Sequence, residues 1–165
     1  MSRVAGGCTP RGMMALVILG ALSGGQAYSQ TPRTSLEPLL TVADLAAVGL
    51  TGVVLASLDA YDRTEELGFV RASDEWVVLN LARVDVNSAG VGSLEATVNI
   101  IATDVVVVDG VGDEAYSLLG GMFLYFRKGT TTFQLSTGID VMGGGKLFLT
   151  TEQLAQLAKV VCGRL

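Results

Sequence analysis

The chain has 165 residues, half of them hydrophobic and only 16% charged, with no histidine and a formal net charge of −5. Without imidazole there is no histidine-activated serine or cysteine nucleophile, no imidazole base and no histidine metal site. The acidic balance argues against phosphate backbones and anionic lipid as partners, and no basic cluster exceeds Arg127-Lys128.

In chain order, residues 1–29 read as an export signal. Arg3 and Arg11 give a positive start, Met13 to Leu22 form an unbroken apolar core, and small or polar residues follow from Ser23 to Ser29. Ten apolar residues fall well short of the roughly 20 that a spanning helix needs. Gly25-x-Ala27 and Ala27-x-Ser29 both suit a signal peptidase, and Cys8 precedes the apolar core where a lipidated cysteine would follow it. The expected mature chain begins near Gln30, keeps nine basic residues against 16 acidic ones (net −7), and works in the periplasm or outside the cell with no stable membrane span. Its single cysteine, Cys162, allows no internal disulfide; the thiol is either buried or paired between chains.

Residues 30–40, with Thr31-Pro32-Arg33-Thr34-Ser35, read as a linker, and residues 41–165 as one domain. Leu40 to Val48 reads as a helix, with Thr41 as N-cap, Asp44 three residues on and Gly49 as the stop. Gly52 to Leu58 is a candidate strand. The acidic stretch Asp59 to Glu66 lacks the spacing of a calcium loop and reads as solvated. Leu67–Arg71 and Glu75–Val84 suggest a hairpin turning at Ser73-Asp74. Its second arm is apolar on both faces, as an interior strand should be. After a break at residues 87–92, Ser93 caps a helix from Leu94 to about Thr103. The β-branched run Val105–Val108 predicts a short strand, expected to be buried because an exposed one invites aggregation.

Asp109-Gly110-Val111-Gly112-Asp113-Glu114-Ala115 has the outline of a dinucleotide fingerprint. Asp113 and Glu114 put negative charge where a pyrophosphate must sit, and no helix-forming stretch follows. The segment reads as a tight glycine loop exposing Asp113 and Glu114. Gly143-Gly144-Gly145-Lys146 fails the phosphate-loop pattern, since Asp140 stands where glycine is needed and Leu147 where Ser or Thr is needed. Met122–Arg127 and Thr131–Thr137 form the clearest hairpin, turning at Lys128-Gly129, with Phe123, Tyr125 and Arg127 on one face and Met122, Leu124 and Phe126 on the other. The closing helix starts at Thr150 or Thr151, with Gln153 completing a capping box and Leu154, Leu157, Ala158 and Val161 in an apolar stripe.

Gly110 to Tyr116, Leu124-Tyr125-Phe126-Arg127-Lys128-Gly129, Phe133-x-Leu135-Ser136 and the capped last helix together resemble small exported bacterial domains of unknown function, lipoproteins or sensor-like extracytoplasmic modules. The resemblance covers residues 109–165. It implies an antiparallel sheet with flanking helices and no catalytic residues.

The expected fold is α+β: an antiparallel sheet of about five to seven strands with two or three packed helices. The expected function is a non-enzymatic binding or interaction domain of the cell envelope, without cofactor or metal, taking a small apolar ligand or an envelope protein. Trp76, Phe123, Tyr125 and Arg127 are the candidate ligand-binding residues. The alternatives are a carboxylate-dependent envelope hydrolase using Asp113 or Glu114, and a structural protein that self-assembles through a sheet edge.

Overall fold

The computed structural model describes residues 36–56, 66–85 and 93–165. The expected leader, most of the acidic stretch and the break at residues 87–92 lie outside the described residues. Among the described residues there are three α-helices, α1 (Val42–Ala47), α2 (Leu94–Ile101) and α3 (Thr151–Gly163), and a 3-10 turn at Leu119–Gly121. Seven strands make one antiparallel sheet: β1 (Val53–Leu55), β2 (Glu66–Arg71), β3 (Val77–Val84), β4 (Val106–Val107), β5 (Glu114–Leu118), β6 (Phe123–Lys128) and β7 (Thr131–Thr137). A small hairpin, β8 (Ile139–Asp140) and β9 (Lys146–Leu147), precedes α3. The α+β architecture is as the sequence predicts.

The sheet order β1-β2-β3-β7-β6-β5-β4 joins two meanders. β1-β2-β3 forms one and β4-β5-β6-β7 the other, and they meet where β3 pairs with β7, Leu81 opposite Leu135. α2 carries the chain from the middle of the sheet to its far edge.

The period-two alternation of the strands divides the apolar residues between two faces. Phe69, Leu79, Leu81, Leu124, Phe126, Phe133 and Leu135 point to the face covered by α3 and α1, where Leu45, Leu154, Leu157, Ala158 and Val161 complete the main core. Phe126 and Phe133, directly opposite each other in the β6–β7 ladder, stack with centroids 5.4 Å apart. On the other face Leu94, Val98 and Ala102 of α2 and its exit pack on Leu118 and Tyr125. The helix starts are fixed by local chemistry: Thr41 and Thr150 each form a full capping box, and the Ser93 hydroxyl accepts from the Ala96 amide.

Four features differ from the sequence reading. Leu36, Leu39 and Leu40, within the stretch read as linker, are buried in the main core. Glu66, read as the end of the acidic loop, opens β2. Glu114 to Leu118 is strand β5 rather than loop, because every residue from Glu114 to Leu118 finds a partner on β6. The valine run is not buried: Val106 is 60% and Val107 66% exposed. Among the described residues β4 pairs only with β5 and forms the sheet edge, and nothing packs over Val106 on one face or Val107 on the other to bury them.

Candidate functional site

Phe123, Tyr125 and Arg127 project from one face of β6, two residues apart, as strand geometry requires. Above them sits α2, which seals Tyr125 to 8% exposure and leaves Phe123 half-buried at the rim. Burial pushes the Tyr125 phenol above its usual pKa. Trp76 is elsewhere. It precedes β3 in the β2–β3 connection, 46% exposed, with its carbonyl accepting from the Arg71 amide. The fold thus brings three of the four candidate residues together and leaves Trp76 apart from them.

Arg127 continues this face into a polar network. Its Nε donates to Glu114 Oε1, its Nη1 donates to the Gly129 carbonyl at 2.8 Å, and Nη1 lies 3.9 Å from Asp113. The Tyr116 hydroxyl donates to the second Glu114 oxygen at 3.2 Å. Asp113 accepts from the Gly129 amide at 2.7 Å and meets Lys128 Nζ at 3.5 Å. The Gly129 amide is the main reason that the Asp113 carboxyl titrates below its usual range. Adjacent carboxylates on a strand should diverge, yet both of these meet the same guanidinium because Asp113 lies in the turn just before β5. The network pins the β6–β7 turn to the β4–β5 loop.

The glycines of that loop have structural work to do. Gly112 has φ +57°, and a Cβ there would overlap the Arg127 carbonyl oxygen and touch Cys162 Sγ. Strand β5 follows the loop, where a dinucleotide site needs a helix N-terminus. Cys162 is partly buried beside it, and burial raises its thiol pKa. Two open depressions flank the network: one of about 290 Å³ lined by Arg83, Val84, Asp85 and Thr130 to Thr132, and one of about 180 Å³ along the loop from Val107 to Tyr116. Among the described residues no three His, Cys, Asp or Glu side chains group to hold a metal ion, and no helix is long and apolar enough to cross a membrane.

Exposed apolar side chains occur at the edge strand, as they do at Val141 and Met142 in the β8–β9 turn. Val106 and Val107 are exposed at that edge, and Ile100 (72% exposed) and Ile101 (48%) are exposed in the last turn of α2, the helix that precedes β4. Four valines in succession are the signal here, but a β-branched run does not reveal how many neighbours its strand has. Asp104 anchors the approach to β4: its carboxylate accepts from the amides of Gly120 at 2.8 Å and Leu119 at 3.1 Å, which holds its pKa below the usual range. No family model, curated protein or solved structure matches this chain.

Proposed function

We propose that this chain is an exported, non-enzymatic interaction domain of the cell envelope that engages a protein partner through the open edge of β4. The observation that carries the reading is the double exposure of Val106 and Val107 on a strand with one neighbour among the described residues. Such an edge presents unpaired backbone N–H and C=O groups with apolar side chains above and below, which is what strand addition uses. The groove between α2 and the sheet supports the same choice by elimination. Leu94, Val98, Leu118 and Tyr125 fill it, so an apolar ligand would have to displace core side chains. Asp113 and Glu114 are engaged with Arg127 and Lys128 rather than facing each other across a cleft, which favours a binding role over hydrolysis. The leader read in residues 1–29 supports the envelope as the compartment.

The test is a photo-crosslinking residue placed at Val107 in the full chain expressed in its own cells, with the same residue at exposed Ala46 on α1 as the control. A discrete adduct from position 107 and none from position 46 is expected. No adduct from either, or equal adducts from both, overturns the edge as a docking surface. N-terminal sequencing of the protein from the envelope fraction tests the leader, with processing expected after Ala27 or Ser29.

A further inference from the structure

We infer that the occupant of the β4 edge is a second copy of this chain, paired antiparallel about a two-fold axis through Val106, so that two seven-stranded sheets become one. The inference rests on the edge reading above and adds the identity of the partner and the register.

Backbone geometry sets the register. The Val108 amide donates to the Ala115 carbonyl at 2.9 Å, so Val108 faces β5. In an antiparallel ladder the backbone groups of successive residues point to alternate sides, which directs the N–H and C=O of Val107, and of Val105, to the open side. A two-fold axis through Val106 sets Val105 of one copy opposite Val107 of the other. Both residues of each such pair have outward groups, so both pairs close with two hydrogen bonds.

The side chains agree with this register. The three central pairs are all valine, and identical β-branched side chains pack across a strand pair. Asp104 falls opposite Val108 and Thr103 opposite Asp109, so no two carboxylates face each other. Moving the axis to the midpoint between Val106 and Val107 would set Asp104 against Asp109 and put outward groups opposite inward ones. The Asp104 carboxylate is also held away by the Leu119 and Gly120 amides. A self-complementary patch is what an isologous dimer needs. A strand added in the plane of the sheet sets a neighbouring side chain beside Val106 on one face and beside Val107 on the other, which suits the exposure of both. No ion pair crosses the contact, while each chain has a net negative charge. Screening by salt therefore strengthens the dimer.

Sedimentation of the purified mature protein, read as a function of concentration, tests this. A monomer–dimer equilibrium is expected, with more dimer at about 0.5 M than at about 0.05 M salt. Val107→Pro removes an outward amide that no internal ladder bond uses, and weakens the dimer by at least about tenfold with the thermal melt unchanged. If that variant misfolds, Val107→Lys reads the same contact. Val106→Cys places the same residue on both sides of the axis in a non-hydrogen-bonded pair, about 4.5 Å between Cα atoms, and oxidises to a linked dimer. The wild type with Cys162 alone does not. A wild type that stays monomeric at millimolar concentration, or a dimer indifferent to both Val107 variants, overturns the proposal. A Val107 crosslink to a different protein, with the purified chain monomeric, refutes self-pairing and leaves the interaction reading standing. Absence of any crosslink sinks both.

Discussion

Arg164, the penultimate residue, grips Asp44 of α1 with both ends of its guanidinium, Nη1 at 2.6 Å and Nη2 at 2.7 Å from the two carboxylate oxygens. The same Asp44 accepts from the amide and hydroxyl of Thr41 and completes the α1 capping box, while Arg164 also donates to the Leu39 carbonyl. One carboxylate therefore closes a six-residue helix and ties it to the C-cap of α3. A helix that short has little stability of its own in water.

This pair makes stability depend on acid pH. The Arg164 guanidinium, with the Thr41 hydrogen bonds, lowers the Asp44 pKa to about 2 from an ordinary 3.8. A depressed carboxyl pKa stabilises the fold at pH values above the unfolded pKa, and that contribution is lost as pH falls from near 4 through 2. Arg164→Ala should cost about 1–2 kcal/mol at pH 7, nearer the lower figure because Arg164 is one-third exposed. The difference between wild type and variant should shrink as urea titrations move from pH 5 to pH 2. A constant difference across that range would contradict the assignment.

Gly112 and Gly129 have nearly the same positive φ, +57° and +59°, in very different surroundings. A Cβ at Gly129 meets nothing within 4 Å, whereas one at Gly112 runs into the backbone of Arg127. Gly129→Ala should then cost only the backbone preference, about 1 kcal/mol. Gly112→Ala must also push the β4–β5 loop off β6, and should cost about 3 kcal/mol or more. Equal melting temperatures for the two variants would refute this.

Thr137 is a buried polar side chain with a full set of partners. Its hydroxyl accepts from the Leu149 amide at 3.1 Å and lies 3.3 Å from both the Val78 and Gly138 carbonyls, to which it can donate. It so fixes the segment entering α3 to the end of β7. Thr137→Val keeps the shape and strands the Leu149 amide without a partner, a cost of about 1–3 kcal/mol. Thr137→Ser retains the hydroxyl and should lose less. Faster hydrogen exchange at Leu149 in the valine variant alone is the diagnostic reading.

What the sequence reveals here is what chemistry settles within a few residues. Thr41 with Asp44, Ser93, and Thr150 with Gln153 announce three helix starts, because a cap and its amide lie three residues apart. The β6–β7 hairpin is legible because one turn brings its arms together. β5 is not: Asp113 and Glu114 after two glycines look like loop, and only pairing with β6 makes Glu114–Leu118 a strand. The edge position of β4 is likewise a property of sheet order, decided by β3 meeting β7 across 48 to 58 residues of chain. For the candidate site, alternation places Phe123, Tyr125 and Arg127 on one face, but nothing near Tyr125 in sequence says that α2 will lie over it. The grip of Arg164 on Asp44 spans 120 residues and has no local signal at all.

Tyr125 and Trp76 separate core from surface among the aromatic residues first singled out. Tyr125 packs beneath Leu94 and Val98 of α2, and α2 holds the chain between the middle of the sheet and β4. Tyr125→Ala should open a cavity there and cost about 3–5 kcal/mol. Because α2 leads directly to the edge strand, that variant should also loosen β4 and weaken any Val107 crosslink. Trp76→Ala removes a side chain that is half in water, and should change stability by less than about 1 kcal/mol while leaving the crosslink intact. Chemical denaturation of both variants, with the crosslinking yield measured beside it, distinguishes the two roles. If Trp76→Ala abolished the crosslink at unchanged stability, the docking surface would extend to the β2–β3 turn, and the edge of β4 would not be sufficient to define it.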